Sequence, residues 1–290
     1  MTHPRAGDDG KARFDHIYDQ PDPRAYYRTL GALDYEIPQR ALPVLRALLQ
    51  ALPRSDRPST PRVLDVCCSY GINAALLRYD LTLDELHRRY ADPRIDALSA
   101  EQLARSDRAW LAERRRPGAP RVTGLDVAPN AVHYACRADL HDDGWVEDLE
   151  AGDPSPALAD ELAGVDLIVV TGGVGYITER SFARLVAGRP DGSAPWVASL
   201  VLRIYPFGQI AATLTNSGLV TEQLAGATFP QRRFADDGEH AAAVEAVKAR
   251  GLDPAGLEDD GRFYAELFVS RPAADVDRQP LAELLATVGP

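Results

Sequence analysis

The stretch Val63-Leu64-Asp65-Val66-Cys67-Cys68-Ser69-Tyr70-Gly71, followed at once by Ile72-Asn73-Ala74-Ala75-Leu76-Leu77-Arg78-Tyr79, decides how the rest of the chain is read. A short apolar run ends in small residues and a glycine, and helical spacing begins on the next residue. A strand-to-helix turn of this kind presents backbone N–H groups at a helix N-terminus, where a phosphate, carboxylate or ribose can be bound. Three further strand-like runs follow: VTGLDV at 122–127, VDLIVV at 165–170 and WVASLVLRI at 196–204, with helical stretches between them. Continuous apolar runs are what a parallel sheet covered on both faces requires. A last run, RFYAELFVS at 262–270, is longer and partly alternating, which predicts an antiparallel strand closing the sheet. The second run ends in Gly124-Leu125-Asp126, placing an acceptor-only carboxylate where sheets of this topology bind ribose hydroxyls.

Outside this core, residues 14–52 show helical spacing through Tyr26, Leu30 and Leu33, then Ala41, Leu45, Leu48 and Leu49, with Pro38 placed to begin a second helix. Residues 53–61 form a turn-rich linker. Residues 81–120 read as helices inserted between the first two strands, and Arg114, Arg115 and Arg116 as their solvated end. The domains expected are therefore 1–60, helical; 61–272, the α/β domain with its insert; and 273–290, a tail.

At 290 residues, 45% hydrophobic and 26% charged, the chain is neither disordered, fibrous nor membrane-spanning. A formal net charge of −11 repels phosphate backbones, so no nucleic-acid partner is expected. No run approaches the ~18 apolar residues of a membrane helix, and no signal-like stretch is seen near the amino terminus, so a soluble, cytoplasmic protein without a membrane partner is expected. Three cysteines, Cys67, Cys68 and Cys136, suit reduced thiols. Neither they nor the six histidines have metal-ligand spacing, so no metal is expected; His133 reads as exposed.

The run VLDVCCSYG resembles motif I of class I S-adenosylmethionine-dependent methyltransferases. GLDVAPNAV is similar to their ribose-binding segment, VEDLE to their adenine-contacting acidic segment, and VDLIVVTGGVGYI to their strand-four motif; the likeness spans about residues 61–271. It implies a Rossmann-like class I methyltransferase fold, mostly parallel with an antiparallel last strand, an N-terminal helical lid, and S-adenosylmethionine as cofactor. The cofactor-binding residues it implies are Asp65, Cys67, Ser69 and Gly71, then Asp126 and Val127, Asp148 and Leu149, and Thr171 and Gly172. Two departures stand out. Cys67 and Ser69 hold places where the family has glycine, making the loop less permissive of positive φ. Asp126 follows Asp65 by 61 positions, where a compact unit puts the acid roughly 20 residues after the loop. A dinucleotide site is the rival reading of the turn, but Ile72 stands where its third glycine is needed.

Three residues are candidates for catalysis. The ring of Tyr176 in the glycine-rich strand-four tip is a candidate to face a sulfonium cation, the alternative being that it packs under the loop. Arg203, beside Tyr205 at the end of the fifth strand, is a candidate to pair with a substrate carboxylate or, equally, to make a surface ion pair. Tyr27, with Tyr18, Tyr26 and Tyr35, belongs to the tyrosine-rich lid segment. No motif for a base is present, and Thr171-Gly172-Gly173-Val174 replaces the Asn/Asp-Pro-Pro-aromatic sequence of many adenine, cytosine and glutamine methyltransferases. A small metabolite is the expected acceptor. A second likeness, in CCSYGINAALL, the tyrosine-rich segment and FYAELFVSRP, is to azetidine-2-carboxylate synthases. It implies cyclisation of the cofactor's own aminobutyrate chain with release of methylthioadenosine. A non-catalytic cofactor-binding protein is the third reading, and an oligomer is compatible with all three.

Overall fold

In the computed structural model, which describes residues 11, 14–53, 60–187 and 194–288, the apolar runs are strands. They are β1 (Arg62–Val66), β2 (Arg121–Asp126), β3 (Asp143–Val146), β4 (Leu167–Thr171), β5 (Trp196–Leu202), β6 (Leu219–Gln223), β7 (Phe229–Arg233) and β8 (Arg262–Pro272). One sheet runs in the order β3-β2-β1-β4-β5-β8-β6, with β7 also paired to β8. The first five strands are mutually parallel, and β8 is antiparallel to β5, β6 and β7. This is a Rossmann-like sheet, mostly parallel with an antiparallel last strand, and its order reverses between β1 and β4, the place where open α/β sheets bind ligands.

Strands β3, β6 and β7 carry no apolar run. Leu219–Gln223 and Phe229–Arg233 lie beside the end of the sheet and contain Glu222, Pro230, Arg232 and Arg233, the kind of composition that blunts a sheet edge but leaves no strand signature. The tail at 273–290 is not loose over its described part: Ala273–Arg278 and Leu281–Leu284 are helices, with Leu281 and Leu285 buried.

Alternation along the strands decides what covers the site. Val63 of β1, Leu167 and Val169 of β4, and Ala198 and Leu200 of β5 pack in one core with Ile17, Tyr26, Leu30, Ile37 and Leu45 of the N-terminal helices. Leu64, Val66, Ile168 and Val170 pack in the core of the opposite face. Because side chains alternate, Asp65 and Thr171 fall on the face that the N-terminal helices cover. Pro38 lies in the first turn of helix Ile37–Ala51, as its spacing predicts.

The insert accounts for the long separation of Asp65 from Asp126. Its helices, Leu83–Ala91 and Ala100–Ala112, both begin with capping boxes, Thr82 with Glu85 and Ser99 with Gln102. They are joined to the body through Asp107, 1% exposed, whose carboxylate accepts from Tyr90 Oη at 2.6 Å, from Tyr134 Oη and from Arg89 Nε at 2.6 Å. Tyr134 lies on the helix that follows β2, so this one carboxylate ties insert to sheet layer. Removing it strands a partly buried guanidinium and two buried hydroxyls. Asp107→Ala is expected to lower unfolding free energy by about 3 kcal/mol or more in denaturant titration; a loss under about 1 kcal/mol, the worth of an exposed pair, would contradict this anchoring role.

Candidate functional site

Asp65, next to last in β1, is nearly sealed from solvent, 1% exposed. Its Oδ1 accepts from Asn73 Nδ2 at 2.9 Å, and the same Nδ2 lies 3.2 Å from Thr171 Oγ1, so Asn73 bridges the tips of β1 and β4. Between them runs the loop 67–71. Cys67 has φ 55°, Ser69 φ 48° and Gly71 φ 78°, three alternate residues in the left-handed region. The expected loss of permissiveness is thus overcome: the chain reaches a glycine-loop conformation with two non-glycine residues, at about 1–2 kcal/mol each.

Several contacts hold it there. Ser69 N donates to Asp126 Oδ2 at 2.8 Å, Cys68 N to Leu125 O at 3.3 Å, and Gly71 N to Cys68 O at 2.9 Å. Cys67 Sγ lies against Gly173, where an added Cβ would stand 2.9 Å from it. Burial first, and then the Asp126 and Asp65 charges, push both loop thiols well above their ordinary pKa, so Cys67 and Cys68 are packing groups rather than nucleophiles. The Tyr70 hydroxyl accepts from Gln20 N at 2.8 Å and donates to Gln20 O at 2.8 Å, fastening the N-terminal segment to the loop. Asn130 adds a second fastening, its backbone N donating to Asp19 Oδ1 at 2.8 Å.

Asp126 Oδ1 accepts from Ala128 N at 3.0 Å, so both oxygens hold backbone amides and the carboxylate keeps acceptor capacity beyond them. Burial raises its pKa, opposed by the amides of Ser69, Ala128 and Val127. Val127 beside it is exposed. Asp148 accepts from Glu150 N at 2.9 Å in its own turn, while Leu149 is buried in the core of the far face and offers the site little surface. Gly172, at φ 75°, has the Gln231 amide against it, and Tyr205 packs over Gly175.

Above this floor stand tyrosines. Burial raises the Tyr18 pKa, Tyr176, Tyr35 and Asp126 adding to the effect and Arg232 opposing it. Burial likewise pushes Tyr35 up to about 12, opposed by its hydrogen bond with Tyr26. Both remain protonated at neutral pH. Tyr176 is 53% exposed at the rim, and the cation over its ring in this structure is the chain's own Lys11, with Nζ 5.2 Å from the centroid.

Two expected site residues lie elsewhere. Arg203 is 5% exposed, with Nη1 donating to Glu258 Oε2 at 2.5 Å and Nη2 to Asp253 O at 2.8 Å; a guanidinium bound on both sides inside the protein is not offered to a substrate carboxylate. Tyr27 is 2% exposed and stacked on Tyr90 of the insert, centroids 4.3 Å apart, so it joins the N-terminal helices to the insert. Sequence reasoning passed over Tyr70, Asn73, His141 and Gln231. The His141 ring lies against both Gly71 and Gly124, with Nε2 3.9 Å from Asp65 Oδ2. Among the described residues no group of three or more His, Cys, Asp or Glu is arranged for a metal, and no helix is long and apolar enough to cross a membrane.

The polar atoms that this floor leaves without partners test whether a ligand fits. Among the described residues, Asp65 Oδ2, Ser69 Oγ, Asn73 Oδ1 and Gln231 Oε1 are buried and have none, although buried polar atoms are ordinarily satisfied. The two ring nitrogens of His141, beside Gly71 and Gly124, are also buried without a hydrogen bond, so the site is polar and holds both acceptors and a donor that are unsatisfied.

No protein-family model matches the sequence, and no curated protein matches it significantly. Solved structures similar to it include the YcgJ protein of Bacillus subtilis (8% identity, TM-score 0.43, 81% of this chain and 98% of that one). DesVI of Streptomyces venezuelae is similar at 14% identity and TM-score 0.39 over 91% and 100% of the two chains. Precorrin-6y C5,15-methyltransferase of Geobacter metallireducens is similar at 10% identity and TM-score 0.38 over 91% and 96%. These likenesses are distant, and the functional reading rests on the residues above.

Gly71 gives a direct test of the loop. An alanine there would hold φ near 78° with its Cβ 3.2 Å from Leu140 Cβ and 3.3 Å from the His141 ring. Gly71→Ala is expected to cost about 1–2 kcal/mol of stability from the backbone alone, read by chemical denaturation. Unchanged stability would show that the loop does not depend on this conformation.

Proposed function

We propose that the chain is an S-adenosylmethionine-dependent methyltransferase that acts on a small metabolite in the cytoplasm. The observation that carries the reading is the set of buried, partnerless polar atoms, Asp65 Oδ2, Ser69 Oγ and Asn73 Oδ1, around a left-handed loop at the point where the strand order reverses. Asp126 would take the ribose hydroxyls on its remaining acceptor capacity, with Val127 and Asp148 on the adenine side. Asp65, Cys67, Ser69, Gly71, Thr171 and Gly172 would line the methionine end. When bound, the cofactor supplies an electrophilic methyl carbon on a sulfonium.

The protein's own contribution is alignment and exclusion of water. The lid's attachment through Tyr70 and Asn130 closes the loop over the edge of the sheet. The Tyr176 ring presents a π face to a cation at the rim. Tyr18 and Tyr35, held protonated by burial, orient through their hydroxyls and do not act as bases at neutral pH. A nucleophile that sheds its own proton, such as an amine, suits such a site. The acidic surface supports a small molecule over nucleic acid.

A second reading, cyclisation of the cofactor's aminobutyrate chain, is favoured by the acceptor atoms of Asp65 and Asn73 beside the loop assigned to the amino-acid end. Mass spectrometry after incubation with S-adenosylmethionine alone separates the readings. Intact cofactor that is consumed only when a small-molecule acceptor is added is the expected result. Methylthioadenosine plus a four-membered amino acid would establish cyclisation instead, and no turnover with any acceptor would mean a binding protein.

Asp126 makes the cofactor reading quantitative. Asp126→Ala is expected to weaken S-adenosylhomocysteine binding by about 1.5–3 kcal/mol. Only the ionised carboxylate accepts both hydroxyls, and its pKa is raised. Affinity should therefore be full at neutral pH and fall on acidification, beginning above the ~3.9 of an ordinary aspartate. Calorimetry across pH on wild type and Asp126→Asn checks this: the asparagine variant should lack that component of the fall, and identical profiles would remove Asp126 from the site.

A further inference from the structure

Strand β7 lies off the main path of the sheet, yet it delivers one side chain to the strand-four tip. Its backbone is fixed by the N-terminal helices: Glu36 N donates to Gln231 O and Arg233 N to Leu33 O, each at 2.7 Å. Gln231 is 5% exposed, and its Nε2 lies 3.1 Å from where a Cβ on Gly172 would stand. Its Oε1 has no partner among the described residues. The adjacent Arg232 does not reach for that oxygen, because its two terminal nitrogens are bound by Glu239, at 2.8 and 2.6 Å.

Next to Gly172, Thr171 is bonded by Asn73, and the orientation of that amide is set by chemistry. Asn73 Nδ2 faces Asp65 Oδ1, which as a carboxylate oxygen can only accept, so Asn73 Oδ1 is the end left without a partner. The second oxygen of Asp65 likewise makes no hydrogen bond, with His141 Nε2 3.9 Å away. Buried oxygens from β1, from the helix after the loop and from β7 therefore belong to residues at the tip of β4, and each costs free energy while it lacks a donor. Water satisfies such a set one or two bonds at a time, whereas an ammonium brings three donors and a positive charge toward a carboxylate.

We infer that Gln231 Oε1, together with Asn73 Oδ1 and Asp65 Oδ2, receives a protonated amine at the tip of β4. The inference rests on the cofactor reading above, and two sources share this chemistry: the α-amino group of the cofactor and the amino group of a separate substrate. Gln231 is the discriminating residue because it reaches the site from β7, outside the loop and strands that the sequence motifs mark.

The test is calorimetry with S-adenosylhomocysteine, which carries the α-amine, and 5′-methylthioadenosine, which lacks it, on wild type, Gln231→Leu and Gln231→Glu. If the amine is the cofactor's, Gln231→Leu binds S-adenosylhomocysteine about tenfold more weakly, or ~1.4 kcal/mol, binds methylthioadenosine as wild type does, and is rescued by Gln231→Glu. If the amine belongs to a separate molecule, both thioethers bind Gln231→Leu normally. In that case n-butylammonium added over saturating S-adenosylhomocysteine raises the melting temperature of wild type and Gln231→Glu but not of Gln231→Leu. The inference is overturned if Gln231→Leu matches wild type with all three probes, or if it loses both thioethers equally. Wild type binding neither thioether would overturn the cofactor reading itself, and this inference with it.

Discussion

The hydrogen bond from the Ser69 amide to the Asp126 carboxylate joins the tips of two neighbouring strands through a residue held at positive φ. Everything at the carboxyl edge of the sheet is arranged around it. It holds Ser69 in a conformation that L-residues avoid, and in doing so turns Tyr70 under the lid and brings Gly71 to the start of the next helix. The same bond occupies one lone pair of Asp126 and leaves another, so the carboxylate is at once a structural acceptor and an available one. Neither partner is replaceable without moving the other.

The covering of one sheet face by the N-terminal helices follows from strand alternation. Asp65 shares a face with Val63, and Thr171 with Val169, and that face is the one on which the N-terminal helices bury Ile17, Tyr26 and Leu30. Covering the core on this side and covering the site are therefore one event. The insert reinforces it from outside: Tyr27 of the lid stacks on Tyr90, whose hydroxyl reaches Asp107, which in turn holds Tyr134. The N-terminal helices and the insert are thus joined through a single aromatic network.

What could be read from the sequence was whatever announces itself by period or by local turn chemistry. The apolar runs at β1, β2, β4, β5 and β8, the proline opening the second long N-terminal helix and the acid ending β2 all carry their own signal. Three of the strands carry none, because edge strands are polar and short. Asn73 looks like any helical residue, and only the approach of β4 makes it a bridge. His141 and Gln231 become neighbours of Gly71 and Gly172 through tertiary packing alone. Arg203 misleads for the same reason: its position at a strand end suits a ligand, but Glu258, 55 residues further on, reaches it first. The loop shows the limit from the other side, since Cys67 and Ser69 reach backbone angles that their side chains argue against.

The most direct measurement is a crystal structure of the protein with S-adenosylhomocysteine. The account predicts both ribose hydroxyls within hydrogen-bonding distance of Asp126, with the Ser69–Asp126 bond kept and residues 67, 69 and 71 still at positive φ. A ligand bound away from the β1–β4 tips, or a loop that abandons its left-handed residues to admit it, would contradict the account.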